Sequence, residues 1–159
     1  MKIDKVFVDT NIAMYAAGKD HEHKKPCVEL LELIADGKLL AFTDAEVFQE
    51  ILHRFIAFKS LETGFQIFDN FYDLIRTEKI LAITAEDIMK ARKLAKKYSQ
   101  AKARDLLHLA VMVNHDLRFI VTVDAHFEEF KEVERLDPKK VVEKLCSTSS
   151  SLSKNSTSP

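Results

Sequence analysis

Short β-prone apolar runs alternate with longer amphipathic segments along this chain. The runs cover residues 6–8, 39–42, 79–83, 119–123 and 133–136. Apolar residues recur at helical spacing between them, for instance over 24–36 and 104–115. Strands that alternate with helices form parallel sheets, because each return to the same edge needs a crossover. The sequence therefore predicts an α/β fold, a three-layer α/β/α arrangement around a mostly parallel sheet of four or five strands.

Capping residues predict several helix boundaries. Thr43 and Glu46 have the spacing of a capping box and predict a helix that runs to about residue 58. Thr84 and Asp87 repeat the spacing before a helix that is expected to end near residue 98. Gly37 is the expected terminator of the helix over 24–36, since glycine readily adopts the left-handed conformation found after helices.

Composition excludes several functional classes. With only three glycines, the chain has neither a Walker A loop nor a dinucleotide-binding glycine turn. A formal net charge of -1 excludes a globally basic nucleic-acid binder but still permits a local basic strip. Apolar runs stay far below the roughly 18 residues that span a bilayer, so no membrane partner is expected.

Cysteine and serine usage predict the compartment and the domain boundary. Cys27 and Cys146 are too few for a disulfide framework, which favours a reducing compartment and a cytoplasmic protein. From Ser147 onward the chain is serine-rich and almost devoid of apolar residues. We therefore expect a single domain over 1–146 and a disordered tail over 147–159.

Three aspartates are expected to meet at one edge of the predicted sheet. Asp9 and Asp124 each follow a strand, and Asp105 lies in the first turns of the helix before the fourth strand. The carboxyl ends of parallel strands and the amino ends of the crossover helices share that edge. Each aspartate has an alternative reading as a turn residue, a helix cap or a partner of a helix dipole. Clustered together, they would suit a hard divalent cation such as Mg²⁺ or Mn²⁺.

Four segments, VFVDTN, TDAEVFQEILHRF, RDLLHLA and IVTVDAHF, carry these acids in a recognisable order. They resemble the four acidic motifs of the PIN-domain ribonucleases, especially the VapC-type toxins of prokaryotic toxin–antitoxin pairs, over about residues 2–136. The catalytic and metal-binding acids that the resemblance implies are Asp9, Glu50, Asp105 and Asp124. Thr122 matches the hydroxyl residue that usually precedes the last acid by two positions.

Some of these assignments remain open at the sequence level. Glu46 and Glu50 lie four residues apart on one helical face; the capping box gives Glu46 a structural task, and the family register selects Glu50. Thr10 and Asn11 are expected to support the site by hydrogen bonds, or only to cap the next helix.

The resemblance implies a divalent-metal-dependent ribonuclease that acts on RNA and has an antitoxin protein as a partner. It also implies a homodimer formed through the phenylalanine-rich helix near residues 65–75, although such a segment is ordinarily core. One alternative is a catalytically inert PIN-like module that binds RNA or protein. Another is a haloacid-dehalogenase-like phosphatase, but the second Asp that such enzymes need two positions after Asp9 is replaced by Asn11.

The histidines give weaker signals. His108 would share a helical face with Asp105, and it is read either as a hydrogen-bonded helix residue or as a contact of the site. His126 follows Asp124 closely enough to contact a phosphate. His21 and His23 have no third ligand at zinc spacing, so they are expected to be loop residues before a helix.

Overall fold

The structure, a computed structural model, describes residues 2–152, with side chains to residue 147. Its strands are β1 (Lys5–Val8), β2 (Leu40–Asp44), β3 (Ile80–Leu81), β4 (Phe119–Val121) and β5 (Glu134–Leu136). They form one sheet in the order β3-β2-β1-β4-β5, and each neighbouring pair is parallel. The predicted α/β class and parallel sheet are confirmed.

Six of the seven described α-helices lie in the connections between these strands, and the seventh follows β5. The helices are α1 (Thr10–Ala17), α2 (Lys24–Ala35), α3 (Ala45–Ala57), α4 (Leu61–Ile75), α5 (Ala85–Lys97), α6 (Ala103–Asn114) and α7 (Pro138–Leu152). α5 packs against α6, whereas α1, α2, α3, α4 and α7 contact one another. Because parallel crossovers are right-handed, the connection from β3 to β4 covers the face opposite to the connections from β1 to β3. The sheet is thus covered on both faces.

Strand β1 lies in the middle of the sheet and is buried. Val6, Phe7 and Val8 have no exposed surface, and β2 and β4 pair with β1 on either side. Each such side chain contributes about 1.5–3 kcal/mol by leaving water. The chain moves from β1 toward β2 first and returns later to β4, so a crevice opens between the carboxyl ends of β1 and β4.

Two of the predicted helix boundaries are confirmed, and one is wrong. Gly37 follows α2 with φ +70°, and the Lys38 amide donates to the Leu33 carbonyl at 2.9 Å, which closes the helix end. Thr84 and Asp87 form the expected capping box.

The capping box predicted at Thr43 is not formed. Thr43 belongs to β2 and donates its hydroxyl to the Val8 carbonyl at 2.9 Å. Asp44 caps α3 instead, and its carboxylate accepts from the Val47 amide at 3.1 Å. The helix begins one residue later than predicted because the hydroxyl of Thr43 is already bonded across the sheet.

The carboxyl-terminal segment contains a helix that the sequence analysis left unassigned. α7 packs against α2 and runs to Leu152, so it passes the boundary placed after Cys146. Residues 153–159 of the predicted tail lie outside the described residues. No helix within residues 2–152 is long and apolar enough to cross a membrane.

The two cysteines differ in depth. Cys27 on α2 is fully buried, and burial together with the nearby charge of Asp137 raises its pKa to about 12. Cys146 on α7 is exposed.

Candidate active site

Asp9 follows directly on β1 and occupies the crevice between β1 and β4. It caps α1, and its Oδ1 accepts from the Thr10 amide at 2.7 Å. Its Oδ2 accepts from Asn11 Nδ2 and from the Thr122 hydroxyl, both at 2.6 Å. Burial raises the pKa of Asp9, and the favourable contributions of His108 and Thr122 offset only part of this effect. The carboxylate is held firmly at a place where its charge is costly.

Thr122 joins the two acids that end neighbouring strands. Its hydroxyl donates to Asp9 and accepts from the Asp124 amide at 3.0 Å and from Asn11 Nδ2 at 2.8 Å. The Asn11 side-chain oxygen accepts from the Val123 amide at 3.3 Å. Asn11 and Thr122 therefore connect Asp9 to the backbone around Asp124, and their supporting roles in a reaction stay a prediction.

Asp124 lies in the loop after β4, half-buried. Its Oδ1 accepts from the His126 amide at 2.9 Å and lies 2.7 Å from His126 Nδ1. Burial opposes ionisation, but the hydrogen bonds and charge of His126 outweigh it and lower the pKa of Asp124. Arg135 on β5 donates to the carbonyls of Thr122 and Val123 at 3.2 Å each, which braces the backbone just before the acid.

Asp105 lies in the first turn of α6 and differs from the other acids in its surroundings. Within residues 2–147, its carboxylate forms no hydrogen bond or ion pair. Burial raises its pKa, and the positive charges of His108 and Lys102 offset this effect in part. The negative charges of Asp124 and Glu50 raise its pKa further. Asp105 thus experiences the charge of two other predicted acids while its own oxygens remain available.

We call the four predicted acids, Asp9, Glu50, Asp105 and Asp124, the acidic rim, and His108 is a buried residue next to it. Its Nδ1 lies 2.7 Å from Asp44 Oδ2, and its Nε2 lies 2.9 Å from Glu50 Oε1. Burial favours the neutral ring, but Asp44, Glu50 and Asp9 together raise the pKa of His108 well above its ordinary value. His108 is thus a hydrogen-bonded helix residue, and its bond to Glu50 brings it into contact with one of the predicted acids.

Glu50 is the glutamate that the structure ties to the other acids. Besides His108, it pairs with Arg104, whose Nη1 lies 2.9 Å from Oε2. Burial alone would raise the pKa of Glu50, but His108 and Arg104 lower it. Glu46 forms no such bonds among the described residues, and burial raises its pKa. The Thr10 hydroxyl also helps to lower the pKa of Glu50. It is buried and has no hydrogen-bond partner among the described residues.

The donor set suits a hard divalent cation in charge and chemistry. The Asp105 carboxylate has unbonded oxygens. Burial, with a smaller contribution from neighbouring acids, raises the pKa of Asp9 and Asp105, and a bound cation would stabilise their charged forms. As the side chains stand, no three Asp, Glu, His or Cys residues within 2–147 converge on one point. A cation such as Mg²⁺ would therefore complete its coordination with water, as this ion commonly does.

Three contributors were missed by sequence reasoning. Asp44 lies inside a quoted motif but was taken as part of a capping box, and its partner His108 is 64 residues away. Arg104 and Arg135 were not singled out, because an arginine beside an acid in sequence is ordinarily solvated. Only the fold brings their partners near.

The protein is thus an α/β domain with a parallel five-stranded sheet, and acidic side chains lie near the carboxyl ends of its central strands. The chain belongs to the PIN domain family, whose profile matches residues 6–133.

The chain matches three relatives over nearly their whole length. The chain is 37% identical over 131 residues to VapC ribonuclease Mb1869c of Mycobacterium bovis, covering 82% of this chain and 98% of the relative. Ribonuclease VapC13 of Mycobacterium tuberculosis matches with the same identity and coverage. Ribonuclease VapC23 of the same species is 35% identical over 120 residues, covering 75% of this chain and 92% of the relative.

Solved structures show the same fold at lower identity. VapBC2 from Rickettsia felis, bound to a DNA fragment from their promoter, superposes with a TM-score of 0.66 at 20% identity, covering 84% of this chain and 99% of that chain. FitAcB from Neisseria gonorrhoeae superposes with a TM-score of 0.64 at 17% identity, covering 84% of this chain and 97% of that chain.

Proposed function

We propose that this protein is a divalent-metal-dependent endoribonuclease and the toxin of a toxin–antitoxin pair. The observation that carries the proposal is the 37% identity to a VapC ribonuclease along 98% of its length. The acidic rim supports it, because phosphodiester hydrolysis needs positive charge at the phosphate and an activated water. The cytoplasm is the proposed location, since RNA is available there.

Asp9, Asp105 and Asp124 are the proposed ligands of Mg²⁺ or Mn²⁺, with Glu50 a ligand directly or through water. When bound, the cation would neutralise a phosphodiester oxygen and lower the pKa of water. Thr122 and Asn11 orient the Asp9 carboxylate by the bonds described above.

His108 bonds to one Glu50 oxygen and Arg104 to the other, so the glutamate keeps its charge and its side-chain orientation. We propose that these residues preserve the site between rounds of metal binding.

Cleavage of a mixed single-stranded RNA pool tests this function. The purified chain is expected to cleave RNA with Mn²⁺ or Mg²⁺, to stop with EDTA and to recover when metal is restored. Calorimetry with Mn²⁺ should report binding by the parent chain and much weaker binding by Asp105→Asn. Cleavage that continues in EDTA and in Asp105→Asn would sink the metal-nuclease proposal.

We propose a small antitoxin protein as the partner, from the likeness to VapC-type relatives. Expression of the chain in a bacterial host is expected to arrest growth, and Asp105→Asn is expected to relieve the arrest. Co-expression of a neighbouring small gene should also relieve it and yield a complex by size exclusion. Equal toxicity of parent and variant would contradict a nuclease toxin.

Self-association is proposed to use the hairpin of α3 and α4. Phe71 is buried, so part of the phenylalanine-rich helix belongs to the core. Ile56, Phe58 and Phe65, by contrast, are 61%, 68% and 50% exposed. Light scattering should report a dimer for the parent and a monomer for Phe58→Glu combined with Phe65→Glu. A monomeric parent at micromolar concentration would contradict the proposal.

A further inference from the structure

An open cleft of about 610 Å³ adjoins the acidic rim on the side of α1. Asn11 and Asp124, which belong to the site described above, form one end of it. The remainder of its lining comes from α1, the loop after α1, α3 and the segment after β4: Met14, Tyr15, Gly18, Lys19, Asp20, His21, His23, Arg54 and Val123. The cleft is therefore continuous with the proposed reaction centre.

One face of α1 leads from the acids into the cleft. Asn11, Met14, Tyr15 and Gly18 follow the spacing of three, four and seven residues that places side chains on the same helical face. Asn11 donates to Asp9, and Tyr15 lies one turn further, about 6 Å along the helix axis. Tyr15 and Asn11 thus line the same cleft as Asp124.

Tyr15, His21 and His23 form a cluster of three rings, which we call the ring cluster. Their centroids are separated by 5.1, 5.1 and 5.0 Å. Tyr15 and His23 are half-buried, and His21 is exposed. The loop that carries the histidines is tied down, because the His23 amide donates to His21 Nδ1 at 3.2 Å and Lys24 Nζ donates to the Gly18 carbonyl at 2.7 Å.

Two cations at the cleft have no side-chain partner among residues 2–147. Lys19 and Arg54 are exposed, and neither forms an ion pair or a side-chain hydrogen bond within residues 2–147. Arg104, on the other side of the rim, is instead bonded to Glu50. Cations left unpaired beside an acidic site are suited to phosphate, which a carboxylate-lined cleft would otherwise repel.

We propose that the ring cluster and the two cations form a subsite for an unpaired nucleotide of the RNA next to the scissile phosphate. This inference rests on the proposed ribonuclease function. A base would stack on the exposed ring surface, while Lys19 and Arg54 would hold its phosphate. Bases in a duplex already stack on their neighbours, so the subsite selects single-stranded RNA.

Two other readings of the ring cluster account for fewer observations. A metal site would need a further ligand, and within residues 2–147 no third Asp, Glu, His or Cys joins His21 and His23 at a common point. A purely structural role, in which the rings pack to hold the loop against α1, explains the ring contacts. It does not explain why Lys19 and Arg54 line the same cleft.

The test combines binding and cleavage on matched variants. Affinity for a fluorescent 12-nucleotide single strand and for the matching duplex is measured by anisotropy in the cleavage-deficient Asp105→Asn background. Tyr15→Leu and His21→Ala are each expected to weaken single-strand binding about 10-fold and to leave duplex binding unchanged. Tyr15→Phe should bind like the parent, because it keeps the ring. His115→Ala, an exposed histidine at the end of α6, is the control.

Cleavage-site sequencing with the otherwise unaltered enzyme provides the second measurement. Tyr15→Leu and His21→Ala are expected to raise KM with little change in kcat and to weaken the base preference at one position beside the cut. Thermal melts exclude unfolding, and His21→Ala remains informative if Tyr15→Leu does not fold, since His21 is exposed.

The two hypotheses fail in different ways. If Asp105→Asn abolishes cleavage but the ring variants keep the affinity and cleavage pattern of the parent within twofold, the subsite is overturned and the nuclease stands. If the parent cleaves no RNA with any metal, the nuclease proposal fails, and the anisotropy experiment alone decides the subsite. Ring-dependent binding of single strands supports the subsite in that case, and ring-independent binding overturns it.

Discussion

Asp9 and Asp87 are both buried aspartates that accept three hydrogen bonds, yet their surroundings affect them in opposite directions. The bonds to Asp9 measure 2.7, 2.6 and 2.6 Å, and those to Asp87 each measure 2.8 Å. The pKa of Asp9 is raised and the pKa of Asp87 is lowered. The number of hydrogen bonds alone therefore does not decide how well a protein tolerates a charge.

The cause lies in what surrounds each carboxylate. Asp87 is covered by Thr84 and Asn114, which are themselves exposed, and their hydrogen bonds outweigh the effect of burial. Asp9 lies at the end of a fully buried strand and near Glu50, which adds a negative charge. The charge of Asp87 stabilises the fold, whereas the charge of Asp9 costs stability and serves the proposed ligand.

The largest effect is expected from Asp105→Asn. Like Asp9, and unlike Asp87, Asp105 has a pKa that its surroundings raise. RNA cleavage should fall at least about 100-fold. Loss of a residue that only hydrogen-bonds to a metal ligand costs about 10–100-fold, and loss of a charged ligand itself should cost more. Without metal, the variant should be as stable as the parent or more so, since burial and neighbouring acids disfavour its charge. Cleavage assays and melts in EDTA measure both quantities.

Asp9→Asn is the matched variant for that experiment. Its cleavage should fall equally, but its amide NH₂ would face the donors Asn11 and Thr122, so a loss of about 1–3 kcal/mol of stability is expected. Equal stability losses in Asp9→Asn and Asp105→Asn would contradict the difference in bonding between these two acids.

Thr122→Val should give the next largest effect. Loss of the hydroxyl that joins Asp9 to the Asp124 backbone is expected to reduce cleavage about 10-fold with metal at saturation. Thr122→Ser keeps the hydroxyl and should retain most activity. Initial rates at several Mn²⁺ concentrations measure the effect, and a Val variant as active as the Ser variant would remove Thr122 from the site.

Asp87→Asn should change stability without changing chemistry. The loss of a charged acceptor from the capping box of α5 is expected to cost about 1–2 kcal/mol. Cleavage per folded molecule should equal that of the parent, because Asp87 lies outside the acidic rim. Urea titration at pH 7 gives the first quantity, and a specific loss of activity would refute the assignment of Asp87 to structure alone.

The smallest effect concerns pH. A carboxyl whose pKa is lowered by folding contributes stability above its unfolded pKa of about 4 and loses that contribution as the pH falls through the folded value. The stability gap between the parent and Asp87→Asn should therefore be constant from pH 7 to about 5 and shrink below about 4. Urea midpoints over this range test the prediction, and a gap that widens in acid would reverse the sign assigned to Asp87.

The fold could be predicted from the sequence because its cues are local. Apolar runs, helical spacing and Gly37 each report on a few neighbouring residues, and they locate the strands and α2 within a few positions. β3 is shorter than predicted at both ends: Lys79 belongs to a 3-10 turn, and the strand ends at Leu81, three residues before the Thr84 cap of α5. The register of α3 was missed by one residue because the bond from Thr43 to Val8 spans 35 positions.

The site could be predicted only in part for the same reason. The four acids were located by order and resemblance, and their roles as ligands remain a proposal. His108 could not be recognised as a bridge, since Asp44 and Glu50 lie 64 and 58 residues before it. The histidines of the ring cluster were read as ordinary loop residues for a different reason: Tyr15 is only six residues before His21, but residue types alone do not show that the loop folds back onto α1.

The two cysteines differ in burial, so one of them can be labelled selectively. Because Cys146 is exposed while Cys27 is buried with a pKa of about 12, a maleimide dye at neutral pH should attach to α7 alone. Such a dye would report on partner binding by fluorescence while the rim and the cleft stay unmodified. Cys27 would then react only when its buried surroundings on α2 open, so its slow labelling rate would time that opening.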